Sequence, residues 1–148
     1  MESPLPPYFV YNSKQHFLDL FDRSETVKRV SRRAIFNEWD RFCTVYDSSG
    51  GTWKFRFDNA GRRSPYDRLL AAIHNPIEEV AIIWSRIGIY ALAELREVYL
   101  DALAHDDDNL MQFAEADELS SQIQLCKSFQ DVLSTWRWMR GDREGNLQ

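Results

Sequence analysis

The stretch from Asn75 to His105, NPIEEVAIIWSRIGIYALAELREVYLDALAH, places the strongest limit on how this chain can fold. Apolar or small residues recur at Ile77, Val80, Ala81, Trp84, Ile87, Gly88, Ala91, Leu95, Val98, Tyr99 and Ala102, the spacing of one helix face. Asn75 suits an N-cap and Pro76 a first helical position, and Glu78 and Glu79 lie where the helix dipole favours anions. The spacing predicts one long central helix of roughly 43 Å. Ile82, Ile83, Ile89, Tyr90 and Leu92 make its first half apolar nearly all round, so the part up to about Ala93 is expected to be a buried strut. Glu94, Arg96, Glu97 and Asp101 give the second half one wet face. Arg86 interrupts the apolar run, which falls short of the ~18 residues of a membrane span.

Upstream, FCTVYD and TWKFRFD alternate around SSGG and predict a β-hairpin. A turn centred on Ser49-Gly50, or a four-residue loop, sets Tyr46 opposite Trp53, Thr44 opposite Phe55 and Phe42 opposite Phe57. Five aromatics then share one face, with the central helix as its expected lid. Tyr8–Tyr11 is a candidate third strand. The remaining segments read as helices. One runs from Lys14 to about Asp22 after Ser13, and one from Ser24 to about Trp39. A third starts at Ser64-Pro65 and reaches about His74, and a short one carries Leu110, Phe113 and Ala114. The last spans Glu118 to Arg140, with Gly141 ending it. The expected fold is α+β and mostly helical, a single domain over 1–148 with flexible tails at 1–7 and 141–148.

A chain of 148 residues with 44% hydrophobic and 14% aromatic content is large and apolar enough to bury a core without metal or disulfide staples. Cys43 and Cys126 lie in unlike contexts and are expected to be buried free thiols. The start, MESPLPPYFV, has no basic region followed by an apolar core, which favours the cytoplasm. Net charge is −5 but unevenly spread. Residues 1–74 hold 12 Lys/Arg and 9 Asp/Glu, and residues 75–148 hold 6 and 14. Within 75–118 there are 11 acidic residues against Arg86 and Arg96 alone. Such an acidic middle suits a basic protein partner.

Chemistry-bearing motifs are sparse. His105-Asp106-Asp107-Asp108 has no second histidine four residues on and no calcium-loop spacing, so helix capping and solubility explain it and no metal is expected. His16 and Asp19 lie three apart but lack a third partner. Nothing in the chain forms a phosphate-binding glycine loop or a known nucleophile motif, so no cofactor and no catalytic residue is assigned. Arg68 and His74, separated by five residues, resemble the Arg-x(4–6)-His pattern of the HEPN ribonucleases, with Leu69 where that family has a polar residue. The resemblance implies an all-helical fold and a role for both residues at an RNA backbone.

Size, acidity and the lack of a catalytic signature are similar in kind to bacterial immunity proteins and antitoxins, which occlude a toxin. Under that likeness the partner surface comprises Asp101, Asp106, Asp107, Asp108, Glu115, Asp117 and Glu118, with Trp138 as an aromatic anchor. Trp138 lies about 200° around the axis from Trp136, so the two cannot share a helix face. A homodimeric secretion chaperone and a nucleic-acid binder using the basic N-terminal half are the alternatives.

Overall fold

The computed structural model describes residues 2–23, 28–58, 66, 69, 73–74, 77–105 and 116–139. The chain divides into two compact units: Met1–Gln15 with Asp19–Ile89, and His16–Leu18 with Tyr90–Gln148. The first holds strands β1 (Tyr8–Asn12), β3 (Arg29–Ser31), β4 (Cys43–Asp47), β5 (Gly51–Phe57), β6 (Ile77–Glu79) and β7 (Ile82–Ile89). Strand β2 (Phe17–Phe21) also joins the sheet, and a short helix α1 (Arg32–Phe36) leads into a 3-10 turn at Trp39–Phe42. Five strands form an antiparallel sheet in the order β2-β1-β4-β5-β7, and β3 pairs with β6 separately. The second unit carries helices α2 (Leu92–Ala104), α3 (Ala116–Leu125) and α4 (Phe129–Met139).

The expectation of a mostly helical chain around one long helix is therefore wrong. The first half of the Asn75–His105 stretch is two strands, and helix begins only at Leu92. The residues explain the change. Ile77, Val80, Ile82, Ile83, Ile87 and Ile89 are β-branched, and such side chains lose rotamer freedom in a helix and fit a pleated surface. An apolar run without clean alternation reads equally as buried helix or as strand. Here the alternation is blurred by a bulge. Thr52 pairs with Gly88 and Trp53 with Arg86, so Ile87 is an extra residue on β7. Nor is this segment a buried strut: Ile83, Ile87 and Ile89 are exposed along the edge strand.

The hairpin forms, but one residue out of the expected register. Val45 pairs with Trp53 and Tyr46 with Thr52. The loop is the three residues Ser48–Gly50, and Gly50 takes φ 88°, the left-handed position that closes a three-residue hairpin. An odd slip turns one strand over relative to the other. Trp53, Phe55 and Phe57 thus share their face with Cys43 and Val45, while Tyr46 turns to the opposite face, beside Phe9 of β1. The aromatic face is completed by Tyr8 and Val10, by Val30 and Ile35, and by Trp84 of β7. Trp84 lies 5.3 Å from Phe55 and 5.9 Å from Tyr8, ring centre to ring centre. The lid is therefore β3 and α1 rather than a central helix.

Three smaller departures have local causes. The predicted Lys14–Asp22 helix is a turn followed by β2. Asn12 Oδ1 accepts from the backbone N–H of Lys14 and of Gln15, and His16 then takes φ 52°. Of the second predicted helix, residues 24–27 lie outside the described residues, Arg29–Ser31 are strand β3, and Arg32–Phe36 form α1, capped by Ser31, whose Oγ accepts from Ala34 N–H at 3.1 Å. The predicted Glu118–Arg140 helix breaks at Cys126–Ser128. Ser128 Oγ accepts from Asp131 N–H, and Asp131 Oδ2 accepts from Lys127 N–H, a reciprocal cap that starts α4. The predicted helices at 64–74 and 110–114 fall largely or wholly outside the described residues, as does the 141–148 tail.

Asp47 holds the hairpin turn. It is 1% exposed, and its carboxylate accepts from Ser49 N–H and Oγ–H, Gly51 N–H, Trp53 Nε1–H and Leu5 N–H at 2.7–3.1 Å. A Cβ on Gly51 would meet Trp53 Nε1 at 2.9 Å and both Asp47 oxygens at 3.2 Å, so this position requires glycine. Burial raises the Asp47 pKa, but hydrogen bonds from Ser49, Leu5, Gly51 and Trp53 outweigh it and hold the carboxyl below its ordinary range. The unfolded chain therefore takes up its proton first as pH falls. The stabilisation is complete above the ordinary carboxylate value of about 3.9 and is lost as pH drops through the depressed folded value. Asp47→Asn is expected to cost about 2–3 kcal/mol in urea unfolding at neutral pH. The gap to the parent should narrow when the measurement is repeated at about pH 3.

Candidate functional site

In the second unit, α2 buries Leu95, Tyr99, Ala102 and Leu103. Tyr99 meets the Trp136 ring edge-on at 5.6 Å and donates its hydroxyl to Met139 Sδ at 3.4 Å. Val132 and Leu133 of α4 and Leu119 and Ile123 of α3 complete this core. Burying that side of α2 leaves Glu94, Glu97, Asp101 and His105 on the other, at i, i+3, i+7 and i+11. Glu94 and Glu97 are exposed, and among the described residues no cation pairs with either. Arg96, the basic residue of this helix, points elsewhere. Its Nη1 donates to the carbonyls of Gln124 and Cys126 at 3.2 and 3.3 Å, satisfying the C-terminal end of α3. The wet face expected of residues 94–101 is thus present, and it is anionic.

Of the sequence-derived surface, Asp101 lies on this stripe and is one-third exposed. Glu118 is exposed on α3, Asp117 lies in the first turn of the same helix, and Trp138 is half-buried on α4 while Trp136 is buried. Asp106, Asp107, Asp108 and Glu115 lie outside the described residues. Arg68 does too, so the Arg68–His74 pairing has no geometry to weigh; His74 is exposed.

The end of the stripe holds a cluster that reading along the chain did not assemble. His16 Nδ1 lies 2.9 Å from Asp101 Oδ2. His105 Nδ1 lies 3.4 Å from Asp101 Oδ1 and 2.9 Å from the Asp101 carbonyl oxygen. The two imidazoles stack with centres 3.8 Å apart and planes 9° from parallel. All three side chains are partly open, at 41% for His16, 48% for His105 and 33% for Asp101. Each offers a ligand atom within 4.8 Å of the others. The expectation of no metal compared each histidine with its own neighbours in the chain. For His105 the missing ligand stands four residues before it, and for His16 the nearer partner, Asp101, is 85 residues away. The i, i+4 spacing of Asp101 and His105 was readable; the approach of His16 was not.

Elsewhere, a groove of about 310 Å³ is lined by Asn12, Lys14, Gln15, Asn37, Trp39 and Phe42. It gathers amides, one ammonium and two rings, without an acid–base pair. Both thiols are free and buried. Burial pushes the Cys43 thiol up to about 12, only partly offset by the Asn12 amide, and burial raises Cys126 likewise. Neither is a ready nucleophile. A water-soluble disulfide reagent should label neither cysteine in the native protein at neutral pH, and both at once in denaturant. Rapid native labelling of either would contradict this burial.

No described helix is long and apolar enough to cross a membrane. Compared with protein-family models, curated proteins and solved structures, the chain matches none.

Proposed function

We propose that this chain is a cytoplasmic, non-catalytic binding protein of the immunity or antitoxin type, which meets a basic protein surface through the acidic face of α2. The observation that carries the reading is the stripe of Glu94, Glu97 and Asp101, whose neighbouring cation Arg96 is engaged with backbone carbonyls instead of neutralising it. A like-signed face raises the rate at which an oppositely charged partner is captured, and salt weakens that effect. Glu118 and the aspartates after His105 extend the same sign along the sequence. The two buried, proton-holding thiols offer no ready nucleophile.

The test compares the parent chain with a Glu94→Lys/Glu97→Lys variant in capture experiments from the native host. The parent is expected to retain a basic protein at about 50 mM salt and to release it at about 500 mM. The variant should associate about tenfold more slowly or not at all. Co-expression of the parent should relieve the toxicity of the captured protein. Capture of an acidic partner, or binding that ignores both the charge reversal and the salt, would rule this face out.

A further inference from the structure

We infer that His16, Asp101 and His105 form a binding site for a divalent transition-metal ion of the zinc type. The donors come from segments far apart in sequence, yet all three belong to the same compact unit. Asp101 and His105 project from one face of α2 a single turn apart, the spacing by which helices commonly present two ligands to one ion. His16 supplies the third. It is held in left-handed backbone at φ 52°, a conformation unfavourable for a non-glycine residue, immediately after the turn that Asn12 closes. That turn delivers the imidazole to Asp101.

The donor set selects the class of ion. Two imidazoles and one carboxylate suit zinc and its first-row neighbours, with solvent or a partner group in a fourth position. Calcium and magnesium prefer all-oxygen shells. Bonds of about 2.0–2.2 Å in tetrahedral array require donors roughly 3.3 Å apart. His16 Nδ1 lies 2.9 Å from Asp101 Oδ2 and His105 Nδ1 3.4 Å from Asp101 Oδ1, and one ligand atom from each of the three residues lies within 4.8 Å of the others, so side-chain rotation is enough to bring them to that spacing. The stacked rings are the part that must move. Parallel imidazoles cannot both aim an in-plane lone pair at one ion, so binding opens the stack by side-chain rotation. Both rings are partly exposed and have room for it. The carboxylate of Asp101 with Glu97 and Glu94 along the same stripe supplies a negative field that favours a cation there. This inference does not depend on the proposed partner.

The chelator-stripped full chain is titrated calorimetrically with Zn²⁺, and with Mg²⁺ and Ca²⁺ as controls. One Zn²⁺ per chain is expected, with no saturable heat from the two hard cations. His16→Ala, His105→Ala and Asp101→Asn should each weaken Zn²⁺ binding by more than about tenfold, since loss even of an outer-shell partner costs that much. His74→Ala should leave binding intact. Circular dichroism checks that each variant is folded. For any that is not, imidazole ¹⁵N shifts of the parent decide: Zn²⁺ should move the ring nitrogens of His16 and His105 and spare His74. No binding, binding indifferent to His16 and His105, or shifts confined to His74 would overturn the site.

Discussion

The first unit depends on where Asp47 sits in its turn. Its carboxylate gathers the N–H groups of Ser49 and Gly51, the Trp53 indole and the N–H of Leu5. These bonds tie the strand end, the loop and the N-terminal segment to one buried charge. They also fix a loop of three residues instead of two or four. Because strand side chains alternate, loop parity decides which residues face the core. Trp53, Phe55 and Phe57 join Tyr8, Val10 and Val45, and Tyr46 goes to the other side. A buried carboxylate is tolerable only when its lone pairs are filled, and here five donors fill them.

The largest departure from expectation lies between Asn75 and His105. The residues there satisfy a helical template and a strand template together, because a run that is apolar nearly everywhere fits both periods. Composition favours strand for Ile77–Ile89, with its isoleucines, and helix for Leu92–Ala104, rich in Leu, Ala and Glu. What tips the first part is the open edge of β5. Seven of its residues find backbone partners on β7, and an isolated helix at the same place would leave those groups unpaired. The break between α3 and α4 is a different kind of miss. Ser128-Phe129-Gln130-Asp131 is a capping pattern in plain view, masked by an apolar stripe that continues across it.

The second unit shows how packing creates chemistry. Burying Leu95, Tyr99 and Leu103 rotates α2 so that its carboxylates point outward and Arg96 reaches the carbonyls at the end of α3. An unremarkable mixture of charges in sequence becomes a face of one sign. At the end of that face Asp101 receives two imidazoles, one from its own helix and one from a turn that a single asparagine closes. The proposed partner surface and the inferred metal site thus share Asp101, and each would follow from the same rotation of the helix.

Several features were readable from the residues alone: the β4–β5 hairpin, the β1 strand, the buried free cysteines, and a helix over Leu92–Ala104 with one charged side. Each rests on interactions within a few positions of the chain, or on a composition that allows one outcome. Hairpin register, the fate of Ile77–Ile89, the opposite roles of Arg96 and Glu97, and the meeting of His16 with Asp101 and His105 were decided by the folded chain. Those depend on which backbone edge is left open, which helix side is buried, and which distant turn arrives beside it. Local periodicity carries none of that information, because the free energy that selects among these outcomes comes from contacts between residues remote in sequence.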